Sequence, residues 1–496
     1  MSAVGDQCSV NAATHRYNVA AAALTIVVAF GLLLTWSLGI GRYGGPDEPA
    51  HVLRSASVAA GELVGTEVPA LAPGFRGVTV PGALATGDPA CFRHDAEASP
   101  MCAQATEAAG TRRAATSAGT YPPLYYALVG LPVRALGHAG ESQWYRIVAT
   151  LWCALALAIA MLRARRLPMN VVVLAAVPPA AWFVFGVVNP NAAEIALALV
   201  AWVSVVRLRY ASAGGASPTA LLWVSVPMAL AIAMRPIAVL PFGAMAVVMW
   251  IDRRTRRAEV LRTSWASASA VFAAPAIAAA SVLVWNWYSH VALRDARAAA
   301  HVSRWQSAKH SMRGILGNAR ELVASLGWRE FSAPVVVQMC WWIIVAIASY
   351  ALVRRGVRGV GSWLVVVTFG LFSPVAFETI FAQRIGFIWQ GRYSIAIAIG
   401  LVVLAGDSGF ARSQRPHRIR AVLVALTWVI EVGAFWYTLR RYTVGVNGSW
   451  LFRDAAWQPG VAPMALVALN AVLIGGLLLM QQSQSWGAVA GPVSAP

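Results

Sequence analysis

Apolar segments of about twenty residues recur along this chain, separated by short connections rich in arginine, and this rhythm leaves few foldable outcomes. Inside hydrocarbon every backbone N–H and C=O must find a partner within its own segment, so such runs form helices that cross a membrane. Composition agrees, with 58% of the 496 residues hydrophobic, 12% charged and a mean hydropathy of +0.62. A formal net charge of +19 would suggest nucleic acid in a soluble protein. Here the arginines sit between apolar segments, as cytoplasmic anchors do, so the charge reports topology and no nucleic-acid partner is expected.

The first apolar run, from about Asn18 to Ile40, can cross roughly 30 Å of hydrocarbon, and no small-residue cleavage pattern follows it closely. It reads as an uncleaved anchor behind a polar, irregular cytoplasmic N-terminus, residues 1–17. Further spans lie near 144–162, 169–187, 191–206, 218–234, 236–251, 266–288, 334–353, 361–381, 391–406, 420–438 and 462–480. One multi-spanning membrane domain, 18–480, with about twelve transmembrane helices and a cytoplasmic tail, 481–496, is the economical reading.

Two connections, 41–143 and 289–333, are long enough to be functional outer loops. Residues 121–137 are apolar but short and interrupted by proline. If they crossed, the Arg163, Arg165 and Arg166 cluster would lie outside, together with every later arginine cluster. Laid in the interface, they leave Arg207 and Arg209, Arg253 to Arg257, Arg354 to Arg358 and Arg412 to Arg420 inside. The expected molecule is therefore an all-α polytopic protein of the plasma membrane, both termini cytoplasmic, with juxtamembrane helices in its first extracytoplasmic loop.

That loop opens with Gly-Arg-Tyr-Gly-Gly-Pro-Asp-Glu-Pro-Ala-His, which puts Asp47 and Glu48 just past the first span. Asp47 after Pro46 predicts an N-cap, and the helix can run from there to Gly61. Glu48, His51, Val52 and Ser55 share one face, so a carboxylate and an imidazole can point into one site beside Arg54. Capping accounts for one acid, but two acids beside His51 and Arg54 favour a site. A carboxylate at the outer membrane face can take the proton of a sugar or lipid hydroxyl as a general base. No Walker A motif and no glycine-rich dinucleotide fingerprint following a strand is present, so a glycosyl donor used at that face would be carried by a lipid. Two carboxylates could hold a hard divalent cation, but no oxygen cage accompanies them, so no metal ligand or firm cofactor is assigned.

A departing lipid phosphate needs cations. Arg392, beside Gln390, is the first candidate, with Arg384 and Arg235 either helping or snorkelling to head groups. The 289–333 loop carries seven basic residues against three acids, an excess that could gather anionic lipid-linked substrate or rest on head groups. Trp305, Trp328, Trp450 and Trp457 could stack on sugar rings, although aromatic belts are the commoner use. Cys91 and Cys102 are a candidate disulfide, contributing about 2 to 3 kcal/mol in an oxidising compartment, whereas Cys8, Cys153 and Cys340 show no metal spacing. Glu431, inside a span, predicts a polar contact in the bundle, and Glu194 and Glu378 predict cavity-lining or interfacial positions.

The stretch Pro46-Asp47-Glu48-Pro49-Ala50-His51 followed by Arg54, then Tyr121-Pro122-Pro123-Leu124-Tyr125-Tyr126, Asn189-Pro190-Asn191, Arg235-Pro236 and Gln390-Gly391-Arg392-Tyr393, resembles the bacterial membrane family called domain of unknown function 2142. That family in turn resembles GT-C glycosyltransferases, and the likeness runs over nearly the whole chain. The resemblance implies a first outer loop with an acidic pair and two juxtamembrane helices, a polyprenyl-phosphate sugar as substrate, and a base mapping onto Asp47 or Glu48. The expected activity is inverting sugar transfer from that lipid to a cell-envelope glycan or lipid acceptor. A transporter or flippase of a lipid-linked glycan is the competing class, and a non-catalytic assembly subunit is a third. A transporter would more often show repeats or several mid-span charges, and only Glu431 stands there.

Overall fold

Proline marks where many of the helices begin, since a residue with φ already set and no N–H to lose fits a first turn and little else. A computed structural model of the chain describes residues 2–68, 74–106, 108–165, 167–209, 218–255, 265–289, 299–407 and 416–487. In chain order the helices are α1 (Ser2–Gly39), α2 (Glu48–Ala59), α3 (Pro123–Ala135), α4 (Ser142–Ala164), α5 (Val172–Ala175) and α6 (Pro179–Phe185). Next come α7 (Pro190–Leu208), α8 (Pro218–Met234), α9 (Val239–Thr255), α10 (Trp265–Tyr288), α11 (Arg304–Arg313) and α12 (Ile315–Ala324). The last five are α13 (Val335–Val353), α14 (Val357–Ile385), α15 (Ile395–Ala405), α16 (Pro416–Val444) and α17 (Pro463–Gly487). Arg166, Arg256, Arg257, Arg294, Arg297, Arg412 and Arg415 of the basic clusters lie outside the described residues, as does the tail after Gly487.

Among the described residues eight helices are long and apolar enough to cross a membrane: α1 from Val19, α4, α7, α10, α13, α14, α16 and α17. The shorter apolar helices α8, α9 and α15 accompany them. With the 169–187 segment this is a polytopic all-α bundle of about twelve membrane elements. Two expectations need correcting. Residues 2–17, expected to be irregular, continue α1 back to Ser2, while its membrane-crossing part, Val19–Gly39, begins where the apolar run does. The 169–187 segment is not one helix: Pro178 and Pro179 split it into α5 and α6, of 4 and 7 residues. Both pieces are buried, with Trp182 and Phe185 fully enclosed. Protein surrounds the broken backbone there, the condition under which a membrane-depth helix can be interrupted.

Around that segment α1 packs on α4 and α17, α4 on α7, α7 on α8 and α15, and α16 on α13 and α17. At the start of α7 the bundle meets residues 41–143, which carry a second core. There a three-stranded antiparallel sheet, β1 (Thr66–Glu67), β2 (Arg76–Pro81) and β3 (Thr111–Thr116), pairs in the order β1-β2-β3 with Val78 opposite Ala114. Val78 and Val80 alternate inward against Val52 of α2 and Tyr125, Tyr126 and Val129 of α3. Cys91 and Cys102 are disulfide-bonded in this region. The buried Arg441 of α16 donates to the Phe92, Asp95 and Ala98 carbonyls and to Glu330 Oε1, tying this region to the bundle. At the far end of α7, Arg209 pairs with Asp252 at 2.7 Å and with Asp407 at 3.5 Å, and Arg355 also pairs with Asp407.

Candidate functional site

The turn before α2 brings the acidic pair against the bundle, because Gly44 and Gly45 leave no room for side chains. A Cβ on Gly45 would lie 2.7 Å from Val187 Cβ, and one on Gly44 would lie 2.6 Å from the Tyr442 hydroxyl. Asp47 occupies the N-cap position, but at φ 60 in the left-handed region, and its carboxylate makes no cap bond. A non-glycine residue held there stores about 1 to 3 kcal/mol. Its Oδ2 instead accepts from Arg392 Nη2 at 3.0 Å, joining groups 345 residues apart.

Glu48 turns the other way and is fully buried. Its Oε1 accepts from Arg146 Nε at 2.6 Å and Val188 N at 3.2 Å, and its Oε2 from Arg146 Nη2 at 2.6 Å and Gly45 N at 3.1 Å. The remaining donors of Arg146 reach the Ser37, Ile40 and Gly41 carbonyls at the end of α1. This bidentate pair has its lone pairs and protons satisfied, the arrangement a buried ion pair requires.

Asp47 faces a cavity of about 450 Å³ shared by α2, the Tyr121-Pro122 turn, the start of α7, Arg235 after α8, the end of α10 and residues 386–393. It is the one carboxylate on this wall among the described residues, and Arg235, Arg329 and Arg392 are the cations. Each cation has an acid of its own. Arg235 Nη1 donates to the buried Glu194 at 3.0 Å, Arg329 to Glu321, and Arg392 to Asp47. Arg235 and Arg392 both lie over the Tyr393 ring, at 4.2 and 5.3 Å from its centroid. Glu378 accepts from Trp389 N at 3.1 Å, and Glu321 accepts from Gly391 N at 3.1 Å, so two acids fix the loop that presents Arg392.

His51 also lines the cavity, its Nδ1 3.0 Å from the Tyr126 hydroxyl and its ring stacked on Tyr126. Burial lowers its pKa to about 4, with Asp47 pulling upward and Arg392 and Arg235 downward, so the ring is neutral at physiological pH. Burial likewise raises the Tyr126 phenol well above its ordinary range. Arg54 lies one turn deeper, donating to the Tyr121 carbonyl at 2.9 Å; burial lowers it to about 10, and it remains a cation.

Of the residues singled out in the sequence, the structure therefore brings Asp47, His51, Arg235, Gln390 and Arg392 onto one cavity. Glu48 and Arg54 are buried behind that wall, and Arg384 is exposed in the last turn of α14 and lines none of it. Sequence reasoning missed Arg146, which holds Glu48; an arginine at the start of an apolar span was the available signal. It counted Arg329 only as loop charge, gave Tyr393 no role beyond its place in the Gln390–Tyr393 motif, and did not single out Trp389. Among the tryptophans it named, Trp328 donates to the Tyr43 carbonyl, Trp450 packs on Trp436 and Arg440, and Trp305 is exposed. Glu431 accepts from Trp36 at 2.7 Å and Asn470 at 2.9 Å, a polar contact between helices.

These features define a polytopic membrane protein whose helices frame a polar, arginine-lined cavity with one exposed carboxylate. The chain belongs to the family described as "Predicted membrane protein (DUF2142)", whose model matches residues 30–401. No curated protein sequence matches it. Among solved structures it is similar to ArnT from Cupriavidus metallidurans bound to undecaprenyl phosphate, at 13% identity and a TM-score of 0.45, covering 95% of this chain and 78% of the other. A likeness that distant leaves the site to be argued from its own residues.

Proposed function

We propose that this protein is an inverting GT-C-type glycosyltransferase that moves a sugar from a polyprenyl-phosphate donor to a cell-envelope acceptor at the outer face of the plasma membrane. The observation that carries the reading is the Asp47–Arg392 pair at 3.0 Å on a cavity that also presents Arg235 and Arg329. In the reaction the acceptor hydroxyl oxygen attacks the anomeric carbon while the bond from that carbon to the phosphate oxygen breaks. The hydroxyl proton passes to the Asp47 carboxylate, and the electron pair leaves on the polyprenyl phosphate. Arg392, Arg235 and Arg329 stabilise the charge developing on that phosphate. His51, neutral and held by Tyr126, shapes the wall as a polar group and adds no further positive charge. Glu48 serves as the buried strut that sets the direction of Asp47, leaving Asp47 as the base.

An apolar groove of about 210 Å³, walled by Trp341, Trp342, Val366, Leu401 and Pro374, supports a lipid-borne substrate. Its wall includes Ser394, two residues past Arg392, so a hydrocarbon chain there would place a phosphate near the guanidinium. The test is purified protein with a panel of polyprenyl-phosphate sugars and envelope acceptors. Donor consumption with a new glycosidic product supports the reading. Translocation of the lipid-linked sugar with no donor consumed would move the protein to the transporter class.

A further inference from the structure

A second cavity, of about 530 Å³, is separate from the arginine-lined one and shares no residue with it. Its walls come from the end of α1 (Leu38, Ile40), Arg42, residues 104–106, residues 140–143 at the start of α4, and residues 457–460. Side chains there are three glutamines, Gln104, Gln143 and Gln458, with Trp457, Arg42 and Glu141. The walls are braced: Gln143 Nε2 donates to Ser37 Oγ at 3.0 Å, Arg42 Nη2 to the Ala83 carbonyl at 2.8 Å, and Ala456 N to the Thr443 carbonyl at 2.9 Å. Arg42 Nη2 donates to the Tyr43 hydroxyl as well, at 3.1 Å, and its Nε and Nη1 are enclosed by protein, so this side chain is part of the wall.

The chemistry excludes several occupants. An acyl chain finds too many amides. A phosphate finds one guanidinium opposed by one carboxylate, the latter paired with His138 at 2.7 Å. A metal finds no group of three ligating side chains among the described residues. An indole beside primary amides, a guanidinium and a carboxylate offers a flat apolar face ringed by donors and acceptors. That pairing suits a pyranose, whose C–H face is apolar and whose edge is hydroxyl. The volume lies within the roughly 300–1,000 Å³ of small-molecule sites.

We propose that this cavity is a saccharide-binding site for a short neutral pyranose chain, stacking on Trp457 and hydrogen-bonded by Gln104 and Gln458. It takes no part in the chemistry at Asp47, and its occupancy does not depend on that reading. It holds a glycan at the end of the bundle that carries the 41–143 segment.

The experiment is saturation-transfer difference NMR on the full chain in detergent, with maltotriose, cellotriose, laminaritriose and mannotriose and an empty-micelle control. At least one trisaccharide gives a signal with wild type, weakened about tenfold in apparent affinity by Trp457→Ala. The paired surface variant Gln104→Ala/Gln458→Ala, which leaves the core intact, weakens it as well. No signal from any of the four sugars overturns the proposal. Full retention in the glutamine variant overturns it too, as does full retention in Trp457→Ala, which would place the sugar elsewhere. Sugar transfer is measured separately, so either proposal can fail alone.

Discussion

Asp47 and Glu48 are neighbours in sequence and opposites in environment, and the difference comes from one arginine. Arg146 takes both oxygens of Glu48 into a dry, bidentate pair, which leaves Asp47, on a strained left-handed backbone, facing the cavity. The acidic pair was legible in the sequence, and so was Arg392. The division of labour was not, because Arg146 lies 98 residues downstream and reads locally as an ordinary flanking charge. Glu48→Gln strands a buried guanidinium, so unfolding in detergent should show a loss of about 3–5 kcal/mol. His51 sets a pH dependence. The unfolded ring takes a proton below 6.5, whereas the folded ring resists until about 4. Stability should therefore fall as pH drops from about 6.5 towards 4, by roughly 3 kcal/mol from this group. His51→Gln should flatten that limb of the pH–stability curve, and an unchanged curve would count against a buried neutral ring.

At the scale of elements, hydropathy located α4, α7, α10, α13, α14, α16 and α17 closely, since a long apolar run in lipid has no alternative to helix. It failed at 169–187, where the composition is that of a span but two adjacent prolines forbid one helix, and protein rather than lipid surrounds the result. The β2–β3 ladder escaped notice too, because Val78 and Val80 alternate over only a few residues of a loop otherwise read as irregular. The turn at 391–394 that carries Arg392 packs on α12 without space for a side chain. A Cβ on Gly391 would run into the Asn318 carbonyl oxygen and lie 2.5 Å from Leu322 N. Gly391→Ala should thus cost about 1–3 kcal/mol and shift Arg392 off Asp47. Chemical denaturation with a donor-binding assay checks both, with Gly475→Ala, where a Cβ meets nothing within 4 Å, as the neutral comparison.

For the whole molecule, the arginine distribution, not the helix geometry, is the basis on which we propose that both ends of the chain lie in the cytoplasm with residues 41–143 outside. A fluorescent protein fused after the C-terminus should fluoresce, whereas a phosphatase fused near residue 90 should be active; the reverse pattern would turn the site to the cytoplasmic face and remove the case for a lipid-carried donor. The account as a whole stands on Asp47 acting chemically rather than as a strut. The most direct measurement is sugar transfer and donor binding by Asp47→Asn, side by side with wild type. The carboxamide should bind the polyprenyl-phosphate sugar with a dissociation constant within a few-fold of wild type and lose transfer by about 10²–10⁴-fold. Transfer at the wild-type rate by Asp47→Asn would contradict the account.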